Sequence, residues 1–214
     1  MAENGEMLMR DGVSQAKRTS LVLRTAKVVC QTGEYVCLIR DVSETAISLH
    51  FWHKAPPEGR IILQLTNGET HPIERVWSGK SQAGYRFTQT ISPEQFLHSE
   101  TPYHHRPIRL EIAAQARLTD GQIISHVHLM DISCGGAKFE SENPHLRDRI
   151  ISFDALGLPQ RLAQVRWQED RQFGLQFQHP LTIRELANIA MRAQPFAEAG
   201  IMPIMIANDA TDAA

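Results

Sequence analysis

Two stretches of this 214-residue chain are one unit written twice, ninety positions apart. Asp41-Val42-Ser43 returns as Asp131-Ile132-Ser133, Trp77 as Trp167, Gly84 as Gly174 and Phe87 as Phe177. A tandem repeat constrains the fold more than composition does. Each copy must bury a core of its own, and about ninety residues suffice for a small domain. The copies can also be read against each other. They differ where chemistry would sit: the second has Asp131-Ile-Ser133-Cys-Gly135-Gly136 with Arg106 and Arg109 upstream, the first has Asp41-Val-Ser43-Glu-Thr-Ala46 and no comparable arginine pair.

Short alternating segments fill both copies. Ile61, Leu63 and Leu65 fall on one face of a strand of period two. Asn67-Gly68 and Asp120-Gly121 are hairpin turn signals. Ser92-Pro93-Glu94-Gln95 and Thr182-x-x-Glu185 read as capped helix starts, and Ile183, Leu186, Ile189 and Ala190 share a helical face. Each unit is therefore all-β with a short closing helix, as a small barrel or sandwich. The expected organisation is a flexible N-terminus over 1–16, a first unit over 17–98, a linker carrying arginines over 99–109, a second unit over 110–194 and a tail over 195–214.

Lys and Arg number 22 against 24 Asp and Glu, leaving a net charge of −2. A general binder of nucleic-acid polymers or anionic membranes would be clearly basic. Cys30, Cys37 and Cys134 make an odd set without a Cys-x-x-Cys pair, which argues against a disulfide framework or thiolate zinc site and for a reducing cytoplasm. The N-terminus lacks the apolar stretch of a signal peptide, and no run reaches the ~20 apolar residues of a membrane span. His126 and His128 share a strand face, but no third ligand at familiar spacing completes a zinc site. No nucleophile elbow, phosphate loop or zinc-protease motif occurs, so the chain is not expected to be an enzyme or to carry a cofactor.

The loop from Asp131 to Gly136 is the strongest chemical feature. Asp131 offers two acceptor oxygens and Ser133 a hydroxyl that both donates and accepts. Gly135 and Gly136 allow positive φ and a close backbone approach. Arginine forks suit phosphate oxygens, the guanine edge and stacking on flat bases. Together these make a pocket for a guanine nucleotide. The plainer reading of Asp-x-Ser is a loop tie, both side chains bonding nearby backbone. Trp77 and Trp167 read as core residues, and Gly84 and Gly174 as permitting strand bends.

Arginines, then Asp-x-Ser-x-x-Gly, then a Trp strand and a Gly-x-x-Phe strand, resemble the PilZ domain family. The resemblance covers both units, roughly 17–98 and 104–193. It implies two six-stranded antiparallel β-barrels in tandem, each followed by a C-terminal helix. It also implies a bacterial signalling role, since many members bind cyclic di-GMP. The family pattern is Arg-x-x-x-Arg before the loop. Here His105 stands at the first arginine position and Arg106 beside it, with Arg109 at the second. By resemblance Arg109, Arg106 and His105 hold phosphates and stack on guanine, while Asp131, Ser133, Gly135 and Gly136 take its edge. The first unit has Lys17, Arg18 and Arg24 upstream, no such frame, and Ala46 for the glycine. It is expected to be a non-binding module for docking, with an unidentified protein partner and a possible homodimer. The alternative is a ligand-free scaffold in motility or exopolysaccharide export.

Overall fold

The computed structural model describes residues 19–98, 107–142, 148–155 and 160–194. The expected N-terminal lead-in, most of the linker and the tail lie outside them. In the first half, β1 (Thr19–Cys30), β2 (Gly33–Val42), β3 (Ala46–His50), β4 (Arg60–Gln64), β5 (Thr70–Ser78) and β6 (Gln82–Phe87) precede α1 (Pro93–His98). In the second, β7 (Arg109–Asp120), β8 (Ile123–Ser133), β9 (Gly136–Glu140), β10 (Ile150–Ala155), β11 (Arg161–Glu169) and β12 (Gln172–Phe177) precede α2 (Ile183–Ala193). Both sheets are antiparallel and close into six-stranded barrels of one strand order, β1-β2-β3-β6-β5-β4 and β7-β8-β9-β12-β11-β10.

The ninety-residue shift reaches single hydrogen bonds. Phe87 N–H donates to Thr45 O and Ile91 N–H to Glu44 O; Phe177 N–H donates to Gly135 O and Leu181 N–H to Cys134 O. Both Trp strands carry their irregularity at the same point, between Arg75 and Trp77 and between Val165 and Trp167. Alternation puts Ile61, Leu63 and Leu65 inside the first barrel and Val127, Leu129 and Phe139 inside the second. Phe139 and Phe173 stack there at 5.2 Å between centroids. The hairpin turns at Gly68 and Gly121 are built as read, and both glycines, like Gly33 between β1 and β2, have positive φ, which glycine adopts without a Cβ clash.

The two helices do different work. Helix α1 belongs to its own barrel: Phe96 packs edge-on to Phe87 at 5.9 Å, and Arg24 donates to the carbonyls of Phe96 and Leu97. Arg24 thus closes a helix end within the first barrel, as a cation does well at a C-terminus. Helix α2 starts with a full capping box between Thr182 and Glu185. It buries Leu186, Ala187, Ile189 and Ala190 and packs on β2 of the first barrel as well as on β7.

Gln194, at the end of α2, locks the barrels together. Its Oε1 accepts from Glu34 N at 2.7 Å and its Nε2 donates to Glu34 O at 2.6 Å. A Cβ at Gly33 would sit 2.1 Å from that Oε1, so this glycine serves both the turn and the seam. The Glu34 carboxylate takes Lys27 Nζ at 2.7 Å and Glu111 N at 2.8 Å. Glu34 and Gln194 are both 8 % exposed. In such surroundings a charge is tolerable only when paired and bonded, as here.

Candidate functional site

Arg109 opens β7 directly across from Ser133 on β8. Its Nη1 donates to Asp131 Oδ1 at 2.8 Å, with the guanidinium half exposed and Asp131 mostly covered. The arm and the loop therefore meet on one face of the second barrel. The main chain of Arg109 is held by the first barrel, since Lys27 Nζ donates to its carbonyl at 3.0 Å. A groove of about 170 Å³ runs beside it, between Lys27, Gln64 and Pro107. His105 and Arg106 lie outside the described residues.

Ser133 is buried, and its Oγ donates to Gly136 O at 3.2 Å. The first copy repeats this contact: Ser43 Oγ donates to Ala46 O at 3.2 Å and accepts from Ala46 N at 3.1 Å. Both serines tie their loops from within. Gly135 and Gly136 do not adopt positive φ; among the described residues the positive-φ glycines are Gly33, Gly68 and Gly121. The freedom these glycines allow is thus not used for left-handed backbone at the loop. Gly136 is needed for another reason. A Cβ there would sit 2.1 Å from the Leu175 carbonyl oxygen, so β9 and β12 approach too closely for a side chain, whereas Gly135 faces open space.

The tryptophans are likewise not core residues. Trp77 is 49 % exposed and Trp167 38 %. Each lies over the glycine paired with it, and a Cβ at Gly84 or Gly174 would fall about 2.0 or 1.9 Å from the indole Nε1. The glycines are shelves for the rings, not hinges of the strand. A half-exposed indole laid flat on a barrel offers a stacking surface.

Register then defines a row that composition had hidden. Asp131 pairs with Lys138, Lys138 with Gly174, and Gly174 with Trp167. Lys138 has no hydrogen-bond or ion-pair partner among the described residues. It stands between the Arg109–Asp131 pair and the indole. The signal for it was its place two residues after Gly136, on the outward phase of β9. The corresponding row of the first barrel is Asp41, Ser48, Gly84 and Trp77. These residues line a cleft of about 310 Å³, and Ser48 Oγ donates to Asp41 Oδ2 at 2.8 Å.

Cys134 is half-buried, and its thiol pKa is raised, first by burial and then by Glu185. His126 and His128 are exposed on β8. No group of three or more metal-ligating side chains occurs among the described residues. No helix among them is long and apolar enough to cross a membrane.

Residues 103–191 match the family model of the PilZ domain. The second barrel is a PilZ domain. The match takes in Arg109, the Asp131–Gly136 loop and most of α2, and the first barrel repeats its topology. No curated protein matches the chain. Among solved structures the chain is similar to Borreliella burgdorferi PlzA in complex with c-di-GMP, at 12 % identity over 82 % of this chain and 94 % of that one, TM-score 0.34. It is similar to YcgR from Escherichia coli in complex with c-di-GMP, at 11 % identity over 77 % and 80 %, TM-score 0.32. It is also similar to the Bacillus subtilis inhibitor of motility MotI/DgrA, at 7 % identity over 79 % and 95 %, TM-score 0.35. At these TM-scores the three likenesses carry no further argument.

Proposed function

We propose that the chain is a bacterial cyclic di-GMP effector that binds the ligand on its PilZ domain and passes the event to a protein partner. The observation that supports this most is Arg109 at 2.8 Å from Asp131, across the strand from Ser133. Arg109, with Arg106 and His105 ahead of it, would hold phosphate and stack on guanine. Asp131 would accept from the guanine edge. Ser133, Gly135 and Gly136 shape the loop that presents it, and Lys138 and Trp167 flank the bound ligand. The Arg109–Asp131 ion pair is a clasp that a guanine donor and a phosphate would open, each replacing one half of it.

Transmission follows from the seam. Arg109 is bonded through its carbonyl to Lys27 of the first barrel, and Lys27 is bonded to Glu34. A ligand that re-aims Arg109 would pull on the contact that sets the barrels against each other, an interface switch between two packed bodies. Calorimetric titration of the whole chain with cyclic di-GMP tests this reading. Wild type should bind, and Arg109→Ala should weaken binding tenfold to a hundredfold, the equivalent of a charge-assisted bond of ~1.5–3 kcal/mol. Wild-type protein silent at ~1 mM ligand, where even a bond of ~4 kcal/mol registers, would overturn it in favour of a ligand-free scaffold.

A further inference from the structure

We infer that the first barrel has its own ligand site, for a mononucleotide whose base lies against Trp77 and whose phosphate is held by Arg40, His50 and Arg184. The inference does not depend on cyclic di-GMP binding by the second barrel.

A β-bulge supplies the first cation. On β2, Ile39 pairs with Leu49 and Asp41 with Ser48, leaving Arg40 as the extra residue. A bulge turns two successive side chains to one side of a sheet, so Arg40 and Asp41 both face outward. His50 follows two residues after Ser48 on the outward phase of β3, about 7 Å along the strand. It pairs with Leu38 on one side and Gln82 on the other. Gln82, Ser48, Asp41 and Trp77 all line the 310 Å³ cleft. Helix α2 packs on β2 and brings in Arg184. Both guanidiniums act electrostatically on the His50 ring.

Arg40 and Arg184 have no hydrogen-bond or ion-pair partner among the described residues. Bringing like charges together costs energy. His50 Nδ1 is sealed from solvent and has no hydrogen-bond partner among the described residues. Burial first, and then the two arginines, hold the ring's pKa below its usual value, so the ring is neutral near pH 7. With no acceptor at Nδ1 the proton sits on Nε2, as a donor. Two guanidiniums, one half-buried on β2 and one exposed on α2, and one imidazole N–H on β3 then gather on one side of the cleft. A phosphate accepts from all three. Asp41 keeps its Oδ1 free while Oδ2 holds Ser48, which suits the amino edge of a base and repels a second phosphate.

The twin barrel shows that this chemistry is particular to the first copy. Ninety positions on, Arg40 becomes Met130 and His50 becomes Glu140. The second barrel thus carries a neutral and an acidic residue at the points where the first carries two nitrogen donors, on the same topology.

That correspondence supplies a test that preserves the fold. The whole chain is titrated with GMP, and separately with inorganic pyrophosphate, following heat and tryptophan fluorescence. GMP should bind and quench; pyrophosphate should bind more weakly and leave the fluorescence unchanged. The double variant Arg40→Met/His50→Glu should lose at least roughly tenfold in GMP affinity, the effect of one charge-assisted bond, while melting cooperatively. Arg184→Gln should show the same direction if the double variant fails to fold. The loss caused by Arg40→Met/His50→Glu should persist in an Asp131→Ala background, which separates this site from the PilZ site. The inference falls if wild type does not bind GMP at ~1 mM, a threshold of ~4 kcal/mol. It falls equally if the arginine variants bind as well as wild type, or if Asp131→Ala alone removes binding.

Discussion

The two barrels share strand order, loop ties, tryptophan shelves and even individual turn bonds, yet each has a differently furnished outer face. The second carries Arg109 clasped to Asp131, with Lys138 and Trp167 in the same row. The first carries Asp41 bonded to its neighbour Ser48, with cations arriving from the bulge and from α2. The difference teaches that in such a barrel the frame is set by inward residues and backbone ties, so that outward positions are free to diverge. Ser43 and Ser133 persist because they hold the loop. Arg109 and Arg40 differ because nothing in the frame depends on them.

The largest expected effect comes from the position where the copies disagree about glycine. Gly136→Ala pushes a methyl into the Leu175 carbonyl and should cost about 2–3 kcal/mol by overpacking. Ala46→Gly at the matching site should cost only about 0.5–1 kcal/mol through backbone entropy. Denaturant melts of the two variants decide it, and equal losses would break the claim that Gly136 has no room for a side chain. Next in size is the seam. Glu34→Ala strands Lys27 and the Glu111 amide and should cost about 1–3 kcal/mol. It should also split one calorimetric transition into two, because the barrels then melt separately.

Acid should single out the first barrel. His50, His53 and His71 all lie there with pKa values lowered mainly by burial. A histidine lowered on folding leaves the unfolded chain binding more protons, so stability is full above the ordinary histidine pKa of ~6.5 and falls as pH drops below it. Hydrogen exchange at decreasing pH should show protection lost first in β3, β5 and the strands beside them. Uniform loss across both barrels would contradict this. The smallest effect is expected at Tyr85. Its hydroxyl is buried without a hydrogen-bond partner among the described residues, and burial raises its pKa. Tyr85→Phe should therefore leave stability within about 0.5 kcal/mol of wild type or raise it, since an unsatisfied polar group is removed.

Much of this was legible in the sequence. The ninety-residue echo, the alternation at Ile61, Leu63 and Leu65 and the Thr182 capping box are local patterns, and local patterns survive into the fold. Arg109 and Asp131 were singled out together by the family pattern, not by the repeat, because the first copy has no such arm; that they bond each other was not legible. What was hidden depended on contacts between distant segments. Trp77 and Trp167 read as core because indoles usually are; only the pairing with Gly84 and Gly174 shows that they lie on the outside. Gly136 was read for its backbone freedom, yet its neighbour Leu175 sits on another strand. Gln194 is an ordinary polar residue at a helix end, and nothing near it in the chain predicts a clamp on Glu34, 160 positions away.

The central claim is that the PilZ barrel, not its twin, receives cyclic di-GMP through its acid. Parallel calorimetric titrations of Asp131→Ala and Asp41→Ala test it most directly, because the same substitution is made at the same place in both frames. The account predicts that Asp131→Ala loses at least roughly tenfold in affinity, one charged hydrogen bond, while Asp41→Ala binds like wild type. Equal affinities in the two variants, or a loss confined to Asp41→Ala, would contradict it.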